Sequence, residues 1–404
     1  MIDLIGDGEH GEPRLMFSDG AREIVGSSIE HKGRIYEPAA IDSSILRQLV
    51  LPTRCCPHGS TRQLLTEICK LMTNLVGLDE ASSPLIGRIV LCSAIVDAIS
   101  VAPALVIVGA DTARANRLMA LLSCLCRHSL SLTAVTPAGF CSLASGARFT
   151  YLISQAAVSD KLQKLLDDAS CRDQRIPFRG RLLDLFGVQV LYTKSVLARD
   201  SWPLRSIQVS TIPTNKELPP FDQDLRQQIT SEYQAKLLSF RRANLGAAIR
   251  IQFDSSKFDF PLRDLARSLA AATPDNDDLQ SEIFELLSGD DLDSRASRWV
   301  DPSVVAIETV LVACHESLGE TVYISELARI AQALLVGRNA EATVDPGLFG
   351  KRLKLLGFAT EPRDAKGSKL LLSEAVRSRA QQLALDLGIA ESSHDEVMKS
   401  ETRG

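Results

Sequence analysis

The run Pro103-Ala-Leu-Val-Ile-Val-Gly109 constrains the fold more than any other stretch of this chain. It carries no charge, is rich in β-branched residues, ends in glycine and is followed at once by apolar residues at helical spacing. A strand that is apolar on both faces belongs inside a sheet covered on both sides, which is the property of parallel sheets. The later runs SLTAVTP, RFTYLIS, GVQVLYT and RSIQVST alternate with helical segments. The expectation is an α/β core with a parallel sheet, ending near Pro213.

Around this core the periodicity places helices at Thr61 to Leu75, Pro84 to Ser100 and about Arg114 to Ser129. Residues 222 to 250 and 261 to 288 read as further helices, fitting an all-helical lid or collar. The expected divisions are 1–59, a small β-rich or irregular segment; 60–215, the α/β core; 216–300, the helical lid or collar; 301–390, a C-terminal domain; and 391–404, a disordered tail.

With 45% hydrophobic and 24% charged residues the chain has the composition of an ordered globular protein. The net charge of -5 restricts any nucleic-acid contact to a local patch. The apolar stretch Ile86 to Val108 is broken by Arg88, Asp97, Ser100 and Pro103, so no membrane span is expected. Nine cysteines without framework spacing, behind an acidic, polar N-terminus MIDLIGDGEHGEP, fit reduced thiols in a cytoplasm.

A phosphate-binding loop after a buried strand requires GxxxxGK[ST]: glycines for close backbone approach, Lys for phosphate charge and a hydroxyl for Mg²⁺. Here Gly109 is in place, but Arg114 replaces the second glycine, Ala115 the lysine and Asn116 the hydroxyl residue. Asp111 adds a negative charge where phosphate should lie. Arg114 or Arg117 is the cation left to compensate. The strand Phe149 to Ile153 should end in Asp-Glu to manage metal and water, and continues instead with Ser154 and Gln155. An ordinary β-turn-α unit that never held nucleotide accounts equally for these residues.

From about residue 60 to 390 the chain resembles the AAA+ primase/helicase-like ATPases of phages, plasmids and mobile elements. The resemblance runs through LVIVGADTARANRLMALLSCLCRHSL, SLTAVTPAGFCSLA, RFTYLISQA, RLLDLFGVQVLY with Gly187, Leu204-Arg205-Ser206-Ile207-Gln208-Val209, FRRANLGAAIRIQFD and PLRDLARSLAAA. It implies an AAA+-like sheet with degenerate Walker A and B positions, oligomerisation with itself or with an AAA+ or replication partner, and Arg205 as the candidate trans arginine. A surface or salt-bridged role for Arg205 is the commoner fate of such a residue.

In the tail, Ile324 to Leu335 reads as a helix with Glu326 in its first turn, and Pro346 to Leu356 as a second. A hairpin follows from Glu361 to Leu372. The order is that of a winged helix, with Lys351, Arg352 and Lys354 on the candidate recognition helix and Arg363, Lys366 and Lys369 on the wing. Between Asp345 and Leu372 six basic residues face three acidic ones, which suits DNA phosphate; a solvated, protein-binding face is the alternative.

Cys124, Cys126 and His128, like Cys55, Cys56 and His58, lack metal-ligand geometry, since helical residues two apart do not share a face; no metal is expected. The sequence therefore points to a catalytically inactive AAA+-like scaffold or accessory subunit that binds DNA in mobile-element replication or defence, with no catalytic residue and no cofactor. Its rivals are an NTP-dependent helicase-like ATPase with a non-standard loop, which alone requires ATP and Mg²⁺, and a DNA-binding regulator of winged-helix type.

Overall fold

The computed structural model describes residues 1–6, 13–19, 22–109, 111–144, 147–194, 206–211, 218–291, 300–315, 320–338, 340, 343–364, 367–386 and 389. The chain forms two compact units, Met1–Asp291 and Leu292–Gly404. The expected tail, 391–404, lies outside the described residues.

In the first unit the sheet strands are β6 (Ala104–Val108), β7 (Ser129–Thr133), β8 (Thr150–Ser154), β11 (Val188–Thr193) and β12 (Ser206–Ser210). Their order is β12-β6-β11-β8-β7, and every pairing is parallel. The expected α/β core with a parallel sheet is present. All of β6 and β11 is buried, which is why their sequences read as unbroken apolar runs.

Successive side chains of these strands enter two separate cores. Leu105, Ile107, Val190 and Tyr192 face a core shared with α2 (Thr61–Leu71), α3 (Ser82–Ala94), α4 (Thr112–Leu125), α7 (Gln223–Ala248), α8 (Phe260–Ala271) and α9 (Asp277–Leu286). Val106, Val108 and Leu191 face the other, with α5 (Pro137–Cys141) and α6 (Asp160–Ala169). The helices of region 216–300 thus join the same unit as the sheet.

Helix α4 ends at Leu125, short of Ser129. His128 takes φ +47 and is buried, and Arg127 turns inward to Asp3. That carboxylate lies on β1 (Ile2–Gly6), which pairs with β2 (Pro13–Ser18), itself paired with β3 (Glu23–Gly26); β4 (Ile29–His31) and β5 (Arg34–Tyr36) form a hairpin. Buried Asp3 also meets Arg241 Nε of α7 at 2.8 Å, and Arg241 donates to the Ala94 carbonyl at 2.8 Å. The first strand is therefore locked to two later elements by a buried ionic cluster.

In the second unit, α10 (Pro302–His315) is followed by β13 (Thr321–Tyr323), α11 (Ile324–Gly337), α12 (Pro346–Leu355), the strands β14 (Thr360–Asp364) and β15 (Gly367–Leu371), and α13 (Glu374–Asp386). The strands pair antiparallel in the order β13-β15-β14. Val305, Leu327, Leu353, Phe358 and Leu370 belong to a core of this unit's own. β13 is absent from the sequence reading because three residues, Thr-Val-Tyr, carry too short an alternation to register.

Candidate functional site

Because the five strands are parallel, their C-terminal ends share one edge. The chain leaves β6 for β7 at the far edge, and later passes from β11 across β6 to β12. The loop after β6 therefore stands where the winding direction reverses, the position at which open α/β sheets bind ligands.

That position is filled by the protein's own groups. Asp111 is the N-cap of α4, and its carboxylate accepts from the Arg114 backbone N–H at 3.0 Å. A helix N-terminus offers an anion its unpaired N–H groups and its positive dipole end. Here a resident carboxylate takes the position an anion would seek.

Neither candidate cation faces that helix start. The buried Arg114 side chain donates from Nε to the Val76 carbonyl at 2.8 Å and from its terminal nitrogen to the Gly77 carbonyl at 3.1 Å. These carbonyls end the π-helical turn Met72–Val76 that continues α2, closed by Gly77 at φ +68. A Cβ on Gly77 would come within 2.6 Å of the guanidinium, so the glycine serves both the turn and the arginine. Arg117 donates to the Pro219 carbonyl and lies 5.5 Å over the Phe221 ring, which Arg226 also approaches, at 4.8 Å. Ala115 is buried beneath the helix.

The strand ends are likewise internally tied. Gln155 accepts from the Val135 N–H at 2.9 Å and donates to the Ala157 carbonyl at 3.0 Å, so it staples the loops after β7 and β8. The Ser154 backbone pairs with Thr133 on one side and Tyr192 on the other. The Tyr192 hydroxyl donates to Thr112 Oγ1 at 3.2 Å, over the first turn of α4. Gly109 abuts the segment after β12: a Cβ there would sit 2.4 Å from the Thr211 carbonyl oxygen. Its glycine is explained by packing.

Sequence reasoning did not find Tyr192 or its contact with Thr112. A tyrosine closing an apolar strand was the available signal, since a buried phenol needs a hydrogen-bond partner. It also missed the hairpin of β9 (Ile176–Phe178) and β10 (Arg181–Leu183) that precedes β11. Its turn is Arg179-Gly180, at φ +48 and +75, with Arg179 stacked 5.1 Å over Phe178 and Leu182 72% exposed. Arg205 lies outside the described residues.

In the second unit, α12 buries Phe349 and Leu353 and exposes Lys351, Arg352 and Lys354. Arg352 reaches Ser303 Oγ at 3.4 Å. Lys369 pairs with Glu361 at 3.2 Å across the β14–β15 hairpin. Arg363 stands in β14, but its side chain, like Lys366, lies outside what is described.

Cys55, Cys56, Cys124 and Cys126 are free thiols, the first two half-buried and the last two buried, and burial pushes Cys126 up to about 12. Among the described residues no cluster of three or more His, Cys, Asp or Glu is placed to hold a metal ion. No described helix is long and apolar enough to cross a membrane.

The sequence matches no protein-family model and no curated protein. Among solved structures the chain is similar to the apo C-terminal region of NrS-1 in its A form, at 12% identity over 92% of this chain and 97% of that one, with a TM-score of 0.39. It is also similar to a full-length MCM homolog from Methanopyrus kandleri, at 11% identity over 72% and 76% of the two chains, with a TM-score of 0.36. Drosophila ORC bound to DNA follows at 11% identity over 88% and 95%, with a TM-score of 0.19. At these scores the likeness carries no weight beside the residues themselves.

Proposed function

We propose that this chain is a catalytically inactive, AAA+-like DNA-binding scaffold or accessory subunit of a mobile-element replication or defence system. The nucleotide position is retained as architecture and closed as a site. One observation carries the reading: Asp111 occupies the helix start that phosphate would use, while Arg114, the loop's substitute cation, is bonded to Val76 and Gly77. No side chain from Ser154 or Gln155 offers the carboxylate that a magnesium-bound triphosphate requires.

DNA is assigned to the second unit, read as a winged helix: α12 supplies an acid-free, cationic exposed face, and β14–β15 supply the wing. The Arg179 hairpin tip supports a further nucleic-acid contact in the first unit, since exposed arginine beside an aromatic ring suits a phosphate backbone with splayed bases. Assembly with itself or with an active AAA+ partner belongs to the same proposal.

The test is calorimetric titration of the purified chain with ATP and Mg²⁺, alongside steady-state hydrolysis with and without DNA. No heat of binding and no turnover are expected. Turnover abolished by Arg117→Ala would establish the rival ATPase reading instead. Mass photometry with and without DNA measures the assembly.

A further inference from the structure

Two leucines of α12 stand in solvent where a closed domain has no need of them. Leu348 is 65% exposed and Leu355 80% exposed, although the same helix places Phe349 and Leu353 in the core. They are seven residues apart, two helical turns, and so lie on one stripe of α12. Lys351 lies between them on that face, and Lys354 and Arg352 flank it. Asp345, the acid beside this helix, is engaged as its N-cap by the Leu348 N–H at 2.8 Å.

We propose that this face reads thymine methyl groups in the major groove of duplex DNA, with Leu348 and Leu355 as the contacting residues and Lys351 and Lys354 as the phosphate anchors. The inference rests on the DNA-binding reading given above and names its substrate class. An α-helix fits the major groove, where thymine alone presents a methyl group, and aliphatic side chains recognise it by apolar contact. Seven residues of helix rise about 10 Å, close to three base steps of about 3.4 Å each, so both leucines reach bases on one stretch of groove.

The same residues argue against other nucleic acids. Single-stranded binders stack bases on aromatic rings, and the aromatic residue of α12, Phe349, is buried. Duplex RNA offers a deep, narrow major groove that side chains do not read. The cationic flanks, in a chain of net charge -5, fit a polyanion.

The experiment is fluorescence anisotropy of the full chain with an alternating A·T duplex and with the same duplex carrying deoxyuridine for every thymine. Burying one methyl group is worth about a fourfold change in affinity, so two contacts predict roughly fifteenfold weaker binding to the uracil duplex. In Leu348→Ser with Leu355→Ser that discrimination should vanish, with the thermal melt unchanged because both side chains are exposed. Equal affinity of the native chain for the two duplexes overturns the inference and leaves DNA binding standing. Discrimination undiminished in the double variant also overturns it, because residues other than these leucines then read the methyl groups. Absence of binding to either duplex at low salt sinks the DNA reading and the inference together.

Discussion

The guanidinium of Arg114 donates to the Val76 carbonyl at 2.8 Å, so the start of α4 closes the end of the π-turn that continues α2. This bond makes a residue in the first turn of α4 a cap for that helix end, donating to carbonyls that have no partner within the helix and meeting the negative end of the helix dipole. Arg114→Ala should cost about 3 kcal/mol, because it leaves buried carbonyls without donors. Arg114→Lys should recover only part, since one ammonium does not reproduce the guanidinium fork. Urea denaturation of the three proteins measures this, and equal midpoints would show that the arginine is dispensable to the fold.

Gly109 makes a second, sharper prediction about the same loop. As a phosphate-loop glycine it would be needed for ligand approach; in this fold it is needed because Thr211 presses on it. Gly109→Ala should destabilise the protein by about 2 kcal/mol or more through backbone overpacking. A variant that folds with native stability but alters a nucleotide-binding signal would reverse the assignment.

These two residues show where sequence reading stops. The apolar run from Ala104 to Val108 announces a buried parallel strand because period and composition are local properties. That Ala115 and Asn116 follow Arg114, and that Ser154 and Gln155 stand at the end of β8, is equally legible, being residue identities at defined spacing. What the loop does instead is not, since Arg114 finds its acceptors 37 and 38 residues upstream. Asp3 meets its arginines 124 and 238 positions away, and nothing in the polar N-terminal sequence marks that carboxylate as buried. Periodicity extends helix α4 too far for the same reason: Arg127 and His128 continue a helical pattern, yet Arg127 pairs with Asp3 and His128 bonds the Arg148 carbonyl outside it.

The buried cluster around Asp3 predicts the acid behaviour of the first unit. Burial, and after it the neighbouring Arg127, pushes His128 down to about 3, below its unfolded value near 6.5. Its Nδ1 faces the Arg148 carbonyl at 3.1 Å, so the neutral ring donates there. The unfolded chain thus takes up a proton between pH 6.5 and 3 that the folded chain refuses. The associated stability is complete above pH 6.5 and falls by about 1.4 kcal/mol per pH unit below it. Asp3 adds its own loss only below about pH 4, because Arg127 and Arg241 outweigh desolvation and hold its carboxyl far below the usual carboxylate range. His128→Asn keeps a donor toward Arg148 and tolerates positive φ. Its stability should be flatter than the native protein's between pH 6.5 and 4, and parallel curves would remove His128 from the account.

The basic residues of the second unit do not contribute equally, because their partners differ. Lys351 and Lys354 are exposed on α12, whereas Lys369 is already paired with Glu361 across the hairpin. A lysine held by a carboxylate releases fewer counterions when DNA arrives, since its charge is partly neutralised beforehand. Lys351→Glu with Lys354→Glu should lower affinity at 50 mM salt and reduce the slope of log affinity against log salt by about 2, close to 0.9 for each phosphate left unneutralised. Lys369→Ala should change that slope by well under 1, and Glu361→Gln should raise affinity by freeing the lysine. Anisotropy titrations across a salt series separate these effects. A Lys369→Ala slope change as large as that of the double variant would place the hairpin, and not α12, at the centre of phosphate contact.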